Sequence, residues 1–153
     1  MMALKFLSEE CRSYMSHLRQ LHDLIATGQG DSEQADSVRD QMDGPWKHMS
    51  FEEHGIVRGL STDIYDVTEK KTLGYRLPKP DDSSRLKLLD AEFKNQDWRR
   101  VLELLRQDPP LAPGQTFFIR ARCWLEMRVP ENAVIFLREI GRASCRERVS
   151  KQV

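Results

Sequence analysis

Apolar residues recur at threes and fours along most of the chain, and no stretch alternates apolar with polar. A period of 3.6 residues buries one stripe of a helix, whereas a half-buried strand needs a period of two. The expected fold is therefore all-α. Leu7, Cys11, Tyr14, Met15, Leu18, Leu21 and Ile25 form a first stripe. Ser8 stands where its side chain can cap that helix, Glu9 and Glu10 follow in the favourable first turn, and Gly28 and Gly30 end it. A second helix is expected from Asp31 or Ser32, with Ala35, Val38 and Met42 inward. "DGPW" should break it after Met42, because Pro45 cannot donate to the ladder and disfavours helix at Gly44. Ser50 with Glu53 three residues later is a capping box, which opens a third helix through about Val67. Val57, Leu60 and Ile64 form its apolar line, with Phe51 near the start. Gly55 and Gly59 fall on one face of that helix, where each costs roughly 1 kcal/mol against alanine and leaves room for a neighbour.

"TEKKTLGYRLPKPDDSS" then interrupts the pattern with charge, proline and serine. It divides the chain into a helical bundle over 1–67, a linker over 68–82 and a second helical region over 83–138. The bundle should pack through Leu18, Leu21, Val38, Val57, Leu60 and Ile64. In the second region, a helix from about Ser84 to Asn95 carries Leu86, Leu89 and Phe93. The next starts at Asp97, turns Trp98, Val101, Leu102 and Leu105 inward, and ends at "DPP". "PGQTFFIRARCWLEMR" makes a third helix, and Pro130 suits the first position of a fourth.

The second region repeats itself. Setting "FKNQDWRRVLELLRQ" against "LEMRVPENAVIFLRE", 32 residues on, places Phe93 on Leu125, Val101 on Ala133, Leu102 on Val134, Leu104 on Phe136, Leu105 on Leu137 and Arg106 on Arg138. Two helical hairpins at this period resemble tetratricopeptide repeats (TPR). In that family the first helix carries a small residue and a core aromatic, matched here by Ala121 and Trp124. The second helix carries a small residue at the crossing and a bulky one a turn later. Ala133 and Leu137 match this pattern, and Val101 and Leu105 match it in the earlier unit. Pro113 matches the family's closing proline. The earlier unit departs from it, with Leu89 at the small position and Glu92 at the aromatic one, beside Phe93. Both inter-helix loops lack the usual glycine, having Gln96 and Arg128 instead. The resemblance spans about Ser83 to Arg138 and implies two TPR-like helical hairpins there, so the expected all-α chain is an N-terminal three-helix unit, read from its own spacing, followed by an α-solenoid fragment.

Residues 139–153 carry no apolar spacing that would continue the preceding helix. Ile140 to Val149, "IGRASCRERV", can be encoded by ATC GGA AGA GCG TCG TGT AGG GAA AGA GTG, which resembles a widely used short-read sequencing adapter. The expectation is a non-native tail on a repeat array cut within its last helix.

Charge narrows the function. The chain has 24 basic and 24 acidic residues among 31% charged, a mixed-sign surface unlike that of a dedicated nucleic-acid or membrane-surface binder. The mean hydropathy of −0.61 and the lack of an apolar run of about 18 residues argue against a membrane span. The N-terminus turns polar too soon for a signal peptide, so the cytoplasm is expected. Cys11, Cys123 and Cys145 are odd in number and widely spaced, which fits free thiols.

No constellation announces chemistry. His17 and His22 are five apart and diverge around a helix, and Glu53 beside His54 lacks the HExxH spacing. These histidines, with His48, are expected on the solvated surface. "GQGDSE" lacks the third glycine and the preceding strand of a dinucleotide loop, so it is a helix stop. Trp46, Trp98 and Trp124 fall where helices begin, end or cross, which suits packing. Arg99, Arg100, Arg106, Arg120, Arg122, Arg128 and Arg138 are expected on a solvated face with i, i+4 pairs. No catalytic residue, cofactor or metal is expected. The TPR resemblance implies a groove lined by the first helix of each hairpin: Leu86, Asp90, Phe93 and Lys94 from one, Phe118, Arg122 and Leu125 from the next. The Asn and Lys arrangement with which some relatives clamp a peptide carboxylate is absent. A non-enzymatic module binding a protein or peptide partner is the leading expectation. A regulatory or accessory region of a larger enzyme or signalling protein is the alternative.

Overall fold

The computed structural model describes residues 7–68, 77–106 and 109–150, apart from the side chains of Thr68 and 142–150. Among the described residues there are seven helices and no strand: α1 (Glu9–Ala26), α2 (Glu33–His48), α3 (Phe51–Thr68), α4 (Asp82–Lys94), α5 (Trp98–Leu104), α6 (Pro113–Glu126) and α7 (Pro130–Ser150). The fold is all-α. No helix among the described residues is long and apolar enough to cross a membrane. The chain divides into two compact units, Leu4–Thr68 and a second that contains α4 to α7. The expected linker falls largely outside the described residues at 69–76, and its last residue, Asp82, opens α4.

In the N-terminal unit α1 packs against both α2 and α3. Its start is capped by Ser8, whose Oγ accepts from the Cys11 amide, and α2 is capped in the same way by Ser32 and Ala35. Cys11, Met15, Leu18 and His22 form the buried strip of α1. Their spacing of four, three and four tilts the strip away from Leu21, which is only half-buried. Ala35, Val38 and Met42 of α2 and Val57, Leu60 and Ile64 of α3 complete the core.

Pro45 does not break α2, which runs on to His48. Proline inside a helix costs about 3 kcal/mol through the lost bond and the clash with the preceding turn. The turn beyond it places Trp46 against Tyr14 of α1, with ring centroids 5.4 Å apart, and against His54 of α3, stacked at 4.0 Å. The Arg58 guanidinium lies 5.3 Å from the Trp46 ring, and His54 Nε2 donates to the Trp46 carbonyl at 2.7 Å. These contacts offset the proline because they tie all three helices together.

The second unit is built from two hairpins, α4–α5 and α6–α7, with α6 also packed on α5. Their turns are copies. Asn95, Gln96 and Asp97 donate to the carbonyls of Ala91, Phe93 and Glu92, and Met127, Arg128 and Val129 donate to those of Cys123, Leu125 and Trp124. All six distances lie between 2.9 and 3.1 Å. Gln96 and Arg128 have φ of 59° and 60°, the left-handed conformation that glycine supplies most cheaply at a helix end. The core of the second hairpin holds Phe117, Ala121, Trp124, Ala133 and Phe136, with the rings of Phe117 and Phe136 6.1 Å apart. The buried bulky residue of α7 is Phe136, whereas Leu137, given that role by the TPR comparison, is partly exposed. Helix α7 also continues through Ser150, past the point where apolar spacing stops. Beyond Gly141 the sequence is free of proline and rich in arginine, with Ala143 and Glu147 among them, residues whose intrinsic propensity favours helix without a buried stripe.

Candidate functional site

On α6 the residues Phe118, Arg122 and Leu125 follow at spacings of four and three, which places them on one strip of the helix. The strip faces away from the hairpin core. Phe118 is 60% exposed and Leu125 48%. Between them Arg122 extends along the helix, its Nε and Nη2 each 3.0 Å from Glu126 Oε1. The site therefore has two apolar anchors flanking a guanidinium whose present partner is a surface carboxylate.

Helix α4 carries the other four expected residues. Leu86 is exposed, and Asp90 pairs with Lys94 at 2.7 Å. Phe93 is half-buried, with its ring edge-on to Trp98 at a centroid distance of 5.2 Å. Phe93 thus spends much of its surface closing its own hairpin. The structure groups Leu86, Asp90, Phe93 and Lys94 on α4 and Phe118, Arg122 and Leu125 on α6. These two helices share no comparable interface, and α5 joins them by packing on each.

The arginine group divides. Arg99 and Arg100 both reach Glu103, at 3.2 and 3.4 Å, and Arg122 reaches Glu126, as a solvated face requires. Arg120 is instead buried, and its Nη2 donates to the Leu105 carbonyl at 3.0 Å. Spacing could not reveal this, because Arg120 and Arg122 read alike until α5 lies against one side of α6.

The histidines divide too. His48 is exposed, His17 and His54 are half-buried, and His22 is buried. His22 Nε2 lies 3.2 Å from Ser61 Oγ, and its ring meets Tyr65 edge-on at 4.6 Å. Burial lowers its pKa, with the Asp23 charge opposing, so His22 is a neutral core histidine and not a surface one. Among the described residues, no group of three or more His, Cys, Asp or Glu side chains could hold a metal.

Comparison with protein-family models, with curated proteins and with solved structures finds no match. The chain's own geometry has to carry the functional reading.

That geometry includes one buried carboxylate absent from the sequence-derived site. Glu53 accepts from the Ser50 amide at 3.0 Å and from the Ser8 amide at 2.6 Å, while Ser50 Oγ accepts from the Glu53 amide at 3.2 Å. Burial pushes the Glu53 pKa up, but its hydrogen bonds to Ser50 and Ser8 outweigh that and hold it below the ordinary value. The same carboxylate, after burial itself, helps push the Cys11 thiol up to about 12, with Arg12 opposing. Cys11 is accordingly an inert buried thiol. The capping box was visible in the sequence. The third partner, 45 residues away, was not.

Proposed function

We propose that this chain is a non-enzymatic interaction module that binds a peptide or protein segment through the strip Phe118, Arg122 and Leu125 of α6, with Leu86, Asp90, Phe93 and Lys94 of α4 as the second wall. The observation that carries the reading is the exposure of Phe118 and Leu125 on either side of Arg122. Their exposure forgoes part of the roughly 1.5–3 kcal/mol that full burial of each would supply, and apolar surface rimmed by polar groups marks recognition sites. Arg122 is available at low cost, since an exposed i, i+4 pair is worth only about 0.3–0.5 kcal/mol. A partner carboxylate can replace Glu126 and engage the guanidinium bidentately. The duplicated turns at Gln96 and Arg128 support a TPR-like arrangement of the hairpins. The balanced charge argues for a protein partner over nucleic acid, and the buried thiols Cys11 and Cys123 suit the reducing cytoplasm.

Selection from a random peptide library on the wild-type chain tests this. Enriched sequences should pair an aromatic or aliphatic anchor with an acidic residue, and Phe118→Ser and Arg122→Glu should each weaken them at least tenfold. Equal binding to both variants would reject the site.

A further inference from the structure

Two proline-bearing stretches lead into helices, one into α6 and one into α4, and the fold treats them differently. Pro109 to Pro113, "PPLAP", is taken into the second unit, where Pro110 is buried and Pro113 is the first residue of α6. Leu77 to Pro80, "LPKP", is exposed at all four positions. Its sequence restricts its backbone. Proline locks its own φ at about −65° and holds the residue before it in the extended or polyproline II region. Leu77 and Lys79 are therefore confined to that region, and Pro78 and Pro80 each have one φ. A turn then ends the stretch. The Asp82 amide donates to the Lys79 carbonyl at 3.1 Å, and the Lys79 amide donates to Asp82 Oδ2 at 2.7 Å. Asp81 between them, with φ −91° and ψ −1°, has the third-position geometry of a type I turn, which favours proline at the second position. The exposed stretch is thereby fastened to the start of α4.

Chemistry narrows what such a stretch can meet. Pro78 and Pro80 have no N–H, and the Lys79 amide is already bonded to Asp82. Addition to the edge of a partner's sheet needs backbone donors, and Pro78 to Pro80 supply none. What remains is side chains and the carbonyls of Leu77 and Pro78, which accept no hydrogen bond among the described residues. In polyproline II three residues make a turn, so Leu77 and Pro80 share a face about 9 Å apart. Stiffening the approach to α4 accounts for the prolines but not for Leu77. At 75% exposure it is the most exposed aliphatic side chain among the described residues. We infer that Leu77 to Pro80 is a ligand for an aromatic-lined groove on a partner protein, of the kind SH3 and WW domains present to proline-bearing segments. Leu77 and the proline rings pack on the aromatic faces, and Trp N–H or Tyr O–H groups donate to the two open carbonyls. Because the backbone is restricted before docking, little ordering entropy is lost.

Purified SH3 and WW domains, each immobilised singly, are titrated with the full chain by surface plasmon resonance. At least one is expected to bind saturably and to release the chain to a synthetic proline-rich ligand of that domain. Leu77→Ser and Pro78→Ala should each weaken binding at least tenfold, while Phe118→Ser on α6 leaves it unchanged. Should Pro78→Ala lower the melting temperature, Leu77→Ser, which keeps both prolines and the turn, decides. The inference is overturned if no domain binds saturably, if Leu77→Ser binds as wild type does, or if the competing ligand fails to displace the chain. Loss of binding with Phe118→Ser alone also overturns it, because the contact would then belong to α6.

Discussion

The two units bury different kinds of groups. In the N-terminal unit the Glu53 carboxylate takes amides from the starts of both α1 and α3, His22 lies buried against Ser61 and Tyr65, and Asp63 of α3 is buried. In the α6–α7 hairpin the interior is Trp124, Phe136, Phe117 and two alanines, joined by the neutral polar side chains of Thr116 and Asn132, and its buried charged group is Arg120. One unit is thus registered by titratable polar contacts between residues far apart in sequence. The other is assembled from a short-range motif used twice. A hub of the first kind admits one arrangement of three helices. A repeated motif can be extended, and leaves an apolar face at the end of each copy.

The largest effect expected is in the second unit. Trp124→Ala removes its most voluminous fully buried side chain and should cost about 3–5 kcal/mol. Hydrogen exchange should show the loss in α6 and α7 while α1 to α3 keep their protection. Glu53→Ala is the counterpart. It strands the Ser8 and Ser50 amides and should cost about 2–3 kcal/mol, read as faster exchange in α1 and α3 alone. Comparable loss in both units from either substitution would undo the comparison.

Acid sharpens the contrast. Burial depresses the His22 pKa, so as pH falls below the ordinary histidine value the unfolded chain takes up a proton there more readily than the folded chain. Its contribution is fully present above the ordinary histidine value of about 6.5 and is lost as pH falls below it. The depressed Glu53 acts lower, with stability present above the ordinary carboxylate value and lost as pH falls through its folded one. Protection from exchange, corrected for the intrinsic pH dependence of the amide reaction, should weaken in α1 and α3 from pH 7.5 to 5.5, and His22→Gln should flatten that dependence. The smallest effect is a gain. A non-glycine residue in the left-handed region costs about 1–2 kcal/mol, against roughly 0.5–1 kcal/mol for the added freedom of an unfolded glycine. Arg128→Gly should therefore stabilise the α6–α7 hairpin by about 0.5–1 kcal/mol in thermal melts.

Much of the local structure was legible. Ser8, Ser32, the Ser50 and Glu53 box, Asp97, Pro113 and Pro130 all open helices, because a cap is decided within four residues of chain. The candidate site was legible only as strips. Spacing put Phe118, Arg122 and Leu125 on one side of α6, but not Phe93 on Trp98 or Arg120 under α5. Position along a stripe also misled at Leu21 and Leu137, where His22 and Phe136 take the buried places. A helical stripe is wide enough for two adjacent residues, and the neighbouring helix chooses between them.

Sequence by itself determined the helical class, the helix starts and the turn repeated 32 residues apart, since each depends on backbone bonding and side-chain period over a few residues. Tertiary structure decided what those signals leave open. It carried α2 through Pro45, because Trp46 gains contacts with α1 and α3 that a broken helix would lose. It joined Ser8 to Glu53, buried Arg120 against the Leu105 carbonyl, and left Val134 and Leu137 exposed where Leu102 and Leu105 are covered. In each case the energy comes from groups distant along the chain, and local pattern carries no information about which of them will meet.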